Sequence, residues 1–312
     1  MRGVRVEAPA RLHLGMLAVA GDDARRFGGL GVAVSRPAVV LEAEPAGELS
    51  AEGPDAERAL TFAHRCRAAL GLAGGAHLRV VEAIPQHVGL GSGTKLALAV
   101  ARALAALEAR DVDAPALAEA SGRAARSAVG MWTFALGGLV VEGGHRPGVE
   151  RPAPLLAHHP MPEEWRAVLV VPAAVPGLSG GAEEEAFGQL VPAPERSATI
   201  AQLVLTSLLP ALVERELDEF GAALTRIQEL VGDSFAAPQG GRFHPRAGPL
   251  VDALLRFGAA GAGQSSWGPA VYGIVGSEAA GRDLARRMED VVGEGSVALV
   301  AFDNRGARLE RS

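Results

Sequence analysis

The chain has 312 residues, of which 48% are hydrophobic and 21% charged, with a formal net charge of −6. That length supports a sizeable core and suggests two domains. The apolar share excludes disorder, and the negative balance argues against a nucleic-acid-binding surface. The single cysteine, Cys66, excludes an internal disulfide and a cysteine-based zinc site. No apolar run reaches the ~20 residues that span a bilayer, and residues 1–14 lack a signal-peptide pattern. A cytoplasmic protein with no nucleic-acid or membrane partner is expected.

Alternation over Val4 to Leu14 predicts a strand that breaks near Pro9 and resumes. Leu30 to Glu44 reads as further strand. Helical spacing covers Glu57 to Leu72, and His77 to Ile84 is strand-like. Helices are expected over Lys95 to Arg110, where Leu96, Val100, Leu104 and Leu107 share a stripe, and over Ala114 to Ser127, with Pro115 in the first turn. Phe134 to Glu142 reads as a strand. The proline-rich run from Arg146 to Pro162 marks a domain boundary, and the adjacent His158 and His159 read as linker residues. Beyond it, strands are expected at Arg166 to Val171, Ala270 to Val275 and Ser296 to Phe302. Helices are expected at Glu183 to Gly188, Thr199 to Leu212, Leu217 to Val231, Leu250 to Phe257 and Ala279 to Val292. Strands and helices mix without strict alternation, so the class is α+β. The acidic run Glu183 to Glu185 reads as a solvated helix start.

The most informative stretch is Pro85-Gln-His-Val-Gly-Leu-Gly-Ser-Gly-Thr-Lys95. It joins a strand to a helix. Gly89, Gly91 and Gly93 free the backbone and remove side chains that would hold a ligand away. The following helix offers unpaired N–H groups and the positive end of its dipole, which suits a phosphate or diphosphate. Ser92 and Thr94 supply hydroxyls for a phosphate oxygen or a magnesium water, and Lys95 a positive charge. The loop fits neither a dinucleotide fingerprint nor a Walker A loop, since Thr94 stands at the sixth position and Lys95 follows Gly93-Thr94.

Pro85, Gly89, Leu90, Gly91 and Ser92 match the P-x-x-x-G-L-G-S-S/G loop of the GHMP small-molecule kinases, and the chain resembles that superfamily. The resemblance implies a ribosomal-protein-S5-like N-terminal domain over 1–155 and a ferredoxin-like C-terminal α+β domain over 156–312. It also implies an aspartate base about forty residues after the loop, where Gly130-Met-Trp-Thr133 stands instead. Further runs resemble the β-ribofuranosylaminobenzene 5′-phosphate synthase family: Arg11-Leu-His-Leu-Gly15, Arg25-Arg-Phe-Gly-Gly-Leu-Gly31, Gly137-Gly138 through Glu142-Gly-Gly-His145, and Gly261-Ala-Gly-Gln-Ser-Ser-Trp-Gly-Pro269. That resemblance implies 5-phosphoribosyl 1-diphosphate and 4-aminobenzoate as substrates, Mg2+ as cofactor, and loss of CO2. It is also the sole ground for expecting a homodimer. An ATP-dependent kinase and a non-catalytic metabolite-binding protein are the alternatives.

The candidate catalytic residues are His13, Arg26 and Lys95. The diphosphate falls to Gly89, Gly91, Ser92, Gly93, Thr94 and Lys95, with Ser92 and Thr94 as metal donors and Arg26 as a phosphate clamp. Arg11 and His13 share one strand face and suit a substrate phosphate or carboxylate, Arg11 in bidentate fashion. Arg123 and Arg126, at i and i+3 on a helix, join Arg26 in the phosphate clamp. Gln264, Ser265, Ser266 and Trp267 line the aromatic pocket, with Trp267 stacking on the ring. His145 is an outlying candidate. Ala18 stands where the synthases commonly carry an aspartate, with Asp22 or Asp23 the nearest substitutes.

Overall fold

The computed structural model describes residues 3–18, 25–146, 148–149, 151–173, 177 and 180–311. In chain order the strands are β1 (Val4–Ala18), β2 (Phe27–Ala46), β3 (Ser50–Glu52), β4 (Gly75–Glu82), β5 (Leu139–Glu142), β6 (Leu155–His159), β7 (Arg166–Pro172), β8 (Gly261–Gln264), β9 (Val271–Val275), β10 (Gly295–Ala301) and β11 (Arg308–Arg311). The helices are α1 (Ala56–Leu70), α2 (Ser92–Leu107), α3 (Ala114–Ser121), α4 (Val129–Leu136), α5 (Gly180–Gly188), α6 (Pro194–Leu203), α7 (Leu209–Glu214), α8 (Leu217–Gln239), α9 (Gly248–Arg256) and α10 (Glu278–Val292).

Among the described residues, one sheet runs β11-β1-β2-β4-β3, with β5 and β6 added along a second stretch of β2. The other is antiparallel, in the order β10-β7-β9-β8. The 20 residues of β2 reach far enough to pair with β1, β4 and β5. Both β6, which pairs with β5, and β11, which pairs with β1, belong to this first sheet. The break expected near Pro9 is a register shift between Pro9 and Arg11, and β1 continues through it.

The α+β class holds, and most expected elements are present. Three differ for identifiable reasons. The helix expected to reach Ser127 stops at Ser121, because Gly122 takes a left-handed φ of +67° and closes it. Arg123 and Arg126 therefore lie on a loop, not a helix face. The strand expected over Phe134 to Glu142 is helix α4 followed by the short β5. Val129-Gly-Met-Trp-Thr-Phe-Ala-Leu136 is apolar on almost every side, so its period could not separate buried helix from buried strand. Leu155–His159, read as linker, forms β6.

A continuous core joins the halves. Leu12, Leu41, Leu96, Val100 and Phe134 belong to the same buried cluster as Phe220, Leu224, Ile227, Tyr272 and Val300. A second cluster, including Val168, Leu254, Val271 and Met288, lies between the smaller sheet and helices α9 and α10. Pro194–Glu214 is long and apolar enough to cross a membrane by length and composition. Here it lays Ile200, Val204, Leu208, Ala211 and Leu212 into the core as an amphipathic helix with a π-turn at Val204–Leu208.

Candidate active site

The loop before α2 turns on Gly89 and Gly91, whose φ values of +89° and +82° suit glycine. A β-carbon at Gly89 would collide with the carbonyl oxygen of Ser265, so the loop sits directly on the turn after β8. Ser265 Oγ donates to Gly89 O at 2.7 Å and accepts from the N–H of His13 at 2.9 Å. One buried hydroxyl thus ties the loop, β1 and the C-terminal half together. Gly93 lies inside the first turn of α2. A β-carbon there would stand 3.1 Å from Arg58 Nη2 and 3.3 Å from Arg123 Nη2, so its absence makes room for guanidinium groups. Gly91 is the N-cap, and no side chain caps the helix. The first N–H groups of α2 are left for a ligand.

Arg11 and His13 of β1, Thr94 in the first turn of α2, and Gln264 and Ser266 at and just past the end of β8 border a cleft of about 240 Å³, whose lining does not include Gly89, Gly91 or Gly93. Arg11, Thr94, Arg123 and Arg126 are among its lining residues. Arg11 Nη1 donates to Gly89 O, and the Arg123 guanidinium lies 4.8 Å over the ring of Phe62. Buried Arg11 Nε, Arg123 Nε and Arg126 Nη1 have no hydrogen-bond partner. An unpaired buried guanidinium N–H is costly, and an anion would satisfy it. Burial lowers the Arg11 pKa to about 10, with Glu183 opposing. Arg123 is lowered by burial and by Arg58 and Arg65. Burial is the first cause for both, and for Arg123 the neighbouring cations add to it.

Aromatic rings line it as well, and Arg126 lies 5.2 Å over that of Phe187. Trp267 packs edge-on against Phe235 (4.7 Å between centroids) and Phe187 (5.5 Å). Trp267 Nε1 donates to Glu183 Oε1 at 3.1 Å, and Arg126 lies 3.7 Å from the same carboxylate. Glu183, expected as a solvated helix start, instead lines the cleft and links Arg126 to Trp267. Trp267 is edge-on to both rings and itself lines the cleft.

The structure brings together Arg11, His13, Thr94, Arg123, Arg126, Gln264, Ser266 and Trp267 around the cleft. Ser265 supports it from behind. Lys95 is the clearest correction. It has no solvent exposure, and its Nζ donates to Thr133 Oγ1 at 3.0 Å, away from the loop. Burial first, then Arg11, hold its pKa well below the lysine range. The reason is helical phase: α2 presents Thr94 to the cleft and Lys95 to the core. Ser92 is also buried and does not line the cleft. Arg26 is exposed and bridges to His145 on the strand edge, away from the cleft. Asp22 and Asp23 lie outside the described residues.

Sequence reasoning missed Glu183, Phe187, Phe235, Gln228 and Glu142. Only Glu142 carried a local signal, a carboxylate closing the apolar run Leu139-Val-Val and followed by Gly143-Gly144. It is fully buried, and burial raises its pKa to about 7 despite hydrogen bonds from Gly144, Ala128 and Ser127.

A loop-headed helix on one sheet, facing a second α+β unit across an arginine-lined cleft, defines the architecture of the GHMP kinases. Residues 57–138 match the family described as GHMP kinases N terminal domain, and residues 208–293 match GHMP kinases C terminal. The homoserine kinase of Cytophaga hutchinsonii superposes with a TM-score of 0.71 over 99% of this chain and 98% of its own, at 17% identity. Sequence relationship is more specific. The beta-ribofuranosylphenol 5′-phosphate synthase of Archaeoglobus fulgidus is 33% identical over 98% of this chain and 99% of its own. That of Methanothermobacter thermautotrophicus is 29% identical over 97% of both. The chain belongs to the beta-ribofuranosylphenol 5′-phosphate synthase family.

Proposed function

We propose that the chain joins 5-phosphoribosyl 1-diphosphate to 4-aminobenzoate with loss of the carboxylate. The products are β-ribofuranosylaminobenzene 5′-phosphate, pyrophosphate and CO2, an early step toward tetrahydromethanopterin-type one-carbon cofactors. The enzyme would act as a soluble cytoplasmic protein. One observation carries this reading. Three arginines, each with an unpartnered buried nitrogen, share a cleft with an aromatic wall. A diphosphate-bearing sugar fits the first feature and an arene the second.

The chemistry follows from that layout. Diphosphate leaves the anomeric carbon, and the charge that develops on it is met by the arginines and the open N–H groups of α2. The ring carbon bearing the carboxylate attacks the oxocarbenium-like centre, since the para amino group enriches that carbon. The carbon–carboxylate bond then breaks, CO2 departs, and its electron pair restores the aromatic ring. The protein's main tasks are orientation and charge stabilisation. A strong base beside the phosphates is not needed, which suits Thr133 in the place of a kinase's aspartate.

Mg2+ is proposed to arrive with the diphosphate. Among the described residues no three metal-ligating side chains cluster, and the cleft offers the oxygens of Glu183 and Thr94. That donor set fits an ion held largely by substrate phosphates, whose charge it would neutralise.

The names of the relatives carry a phenol, which favours 4-hydroxybenzoate as a second acceptor. The test is release of labelled CO2 from each carboxyl-labelled acid with Mg2+. Release that requires 5-phosphoribosyl 1-diphosphate and either acid supports the proposal, and the ratio between acids assigns the acceptor. No release from either, with ATP-dependent phosphorylation of an alcohol, overturns it in favour of a kinase.

A further inference from the structure

Three polar side chains lead inward from the cleft: His13 and Ser127 line it, and Glu142 is buried behind them. His13 Nε2 lies 3.1 Å from Ser127 Oγ. Ser127 in turn adjoins the carboxyl group of Glu142, whose pKa its hydroxyl lowers by hydrogen bonding, and its Oγ also accepts from the N–H of Val129 at 3.3 Å. Glu142 also accepts from the N–H of Gly144 at 2.7 Å and of Ala128, at the start of α4, at 3.3 Å. Adjacent strands build the row: His13 on β1 faces Gly31 on β2, and Gly29 on β2 faces Glu142 on β5. A β-carbon on Gly29 would stand 3.2 Å from Glu142 Oε1 and 3.4 Å from His13 Nε2, so this glycine leaves space for the two groups.

The protons in the row are constrained. An ionised Glu142 can only accept, so Ser127 donates to it. Ser127 then receives the Nε2–H of His13, and His13 Nδ1 carries a lone pair. A protonated Glu142 instead donates to Ser127, whose hydroxyl turns to His13 Nε2, and the imidazole proton moves to Nδ1. One proton shifts at each link, and the imidazole stays neutral in both end states. That neutrality fits its surroundings, because burial first and then Arg11 push its pKa down to about 3. Burial places Glu142 near 7. The charged or titratable groups around the row are Arg11 beside His13, with Arg25 and His145 at the Gly144 turn; β2 contributes only glycines.

We propose that His13, Ser127 and Glu142 form a proton relay, in which Glu142 is a positioning residue that receives, through Ser127 and His13, a proton from the para substituent of the bound ring. The relay rests on the reaction proposed above. As the ring carbon attacks, positive charge reaches the para nitrogen. Its N–H proton passes to His13 Nδ1, Nε2–H passes to Ser127, and the hydroxyl proton passes to Glu142. When CO2 leaves, the bond pair returns to the ring and the proton returns to nitrogen. No proton is gained or lost overall. A phenolic hydroxyl would use the same path.

The test reads the imidazole directly. In 15N-histidine-labelled protein without substrate, His13 is expected to change from the Nδ1–H to the Nε2–H form as pH rises through about 7. Ser127→Ala and Glu142→Gln should each abolish that change. A His13 that keeps one tautomer from roughly pH 6 to 8, or a switch that persists in Ser127→Ala, overturns the relay. If Glu142→Gln does not fold, Ser127→Ala decides alone. In turnover, Ser127→Ala should lower kcat by about 100-fold and erase an ascending limb near pH 7, with the KM for 5-phosphoribosyl 1-diphosphate unchanged. An unchanged kcat and limb also count against the relay. A tautomer switch with no CO2 release would instead overturn the reaction assignment alone.

Discussion

Lys95 and Arg123 both carry a positive charge expected at a substrate phosphate, Lys95 at the diphosphate and Arg123 in the clamp, yet the fold treats them oppositely. Arg123 keeps a buried Nε unpaired beside the cleft, whereas Lys95 spends its ammonium on Thr133 inside the core. Arg123→Ala should therefore raise the KM for 5-phosphoribosyl 1-diphosphate roughly 10- to 100-fold, the effect of losing a charge-assisted contact. Lys95→Met should leave it within about two-fold, since uniform binding is untouched. Stability should move the other way. The folded pKa of Lys95 lies below its ordinary 10.5, so the unfolded chain binds a proton that the folded chain does not. Folding stability is lost as pH falls below that ordinary value. The Met variant lacks this penalty, and its thermal midpoint should exceed that of the parent at pH 7 by more than at pH 9. A KM that rises as far for Lys95→Met as for Arg123→Ala would return the lysine to the binding site.

Among the elements, the glycine loop was legible because its signal is local: a strand, a turn of fixed spacing and a helix start. Arg11 and His13 were placed correctly by strand alternation. Arg123 and Arg126 were found by type but set on a helix that Gly122 ends. Glu183, Phe187 and Phe235 reach the cleft from elements far along the chain, and their partners at Arg126 and Trp267 cannot be read from neighbours in sequence. The loop's docking onto the turn after β8 is equally non-local, and it separates two glycines that look alike in sequence. Gly89 is strained for any side chain and has the Ser265 carbonyl against it, whereas Gly91 faces the flexible side chain of Arg11 at 3.3 Å. Gly91→Ala should cost about 1 kcal/mol from its left-handed φ alone, and Gly89→Ala about 2 kcal/mol or more, because backbone must also shift. Urea unfolding of the two variants measures the order. Equal losses would mean that the loop does not rest on the second half.

At the scale of the molecule, the core runs unbroken from Val4 through Phe220 to Val300, so the halves should unfold as one. The relay then writes its pH dependence onto that single transition. His13 titrates near 3 when folded and at an ordinary 6.5 when unfolded, so its contribution to stability is lost as pH falls through that window. Glu142 titrates at about 7 when folded against an ordinary 4.5, so its contribution is present at low pH and lost as pH rises from 4.5 to 7. Each slope is about 1.4 kcal/mol per pH unit where it acts fully, and the two have opposite signs. Between the two ordinary values these two contributions cancel, and the slope left in the unaltered chain belongs to other groups, His145 among them, whose pKa burial also lowers. His13→Gln removes one side of the balance, and its thermal midpoint relative to the unaltered chain should fall as pH rises from 4.5 to 6.5. Glu142→Gln removes the other, and its midpoint relative to the unaltered chain should fall as pH drops over the same range. Calorimetry of the three proteins reads both slopes. Parallel curves would mean that neither group titrates differently when folded, and the buried row would lose its electrostatic basis.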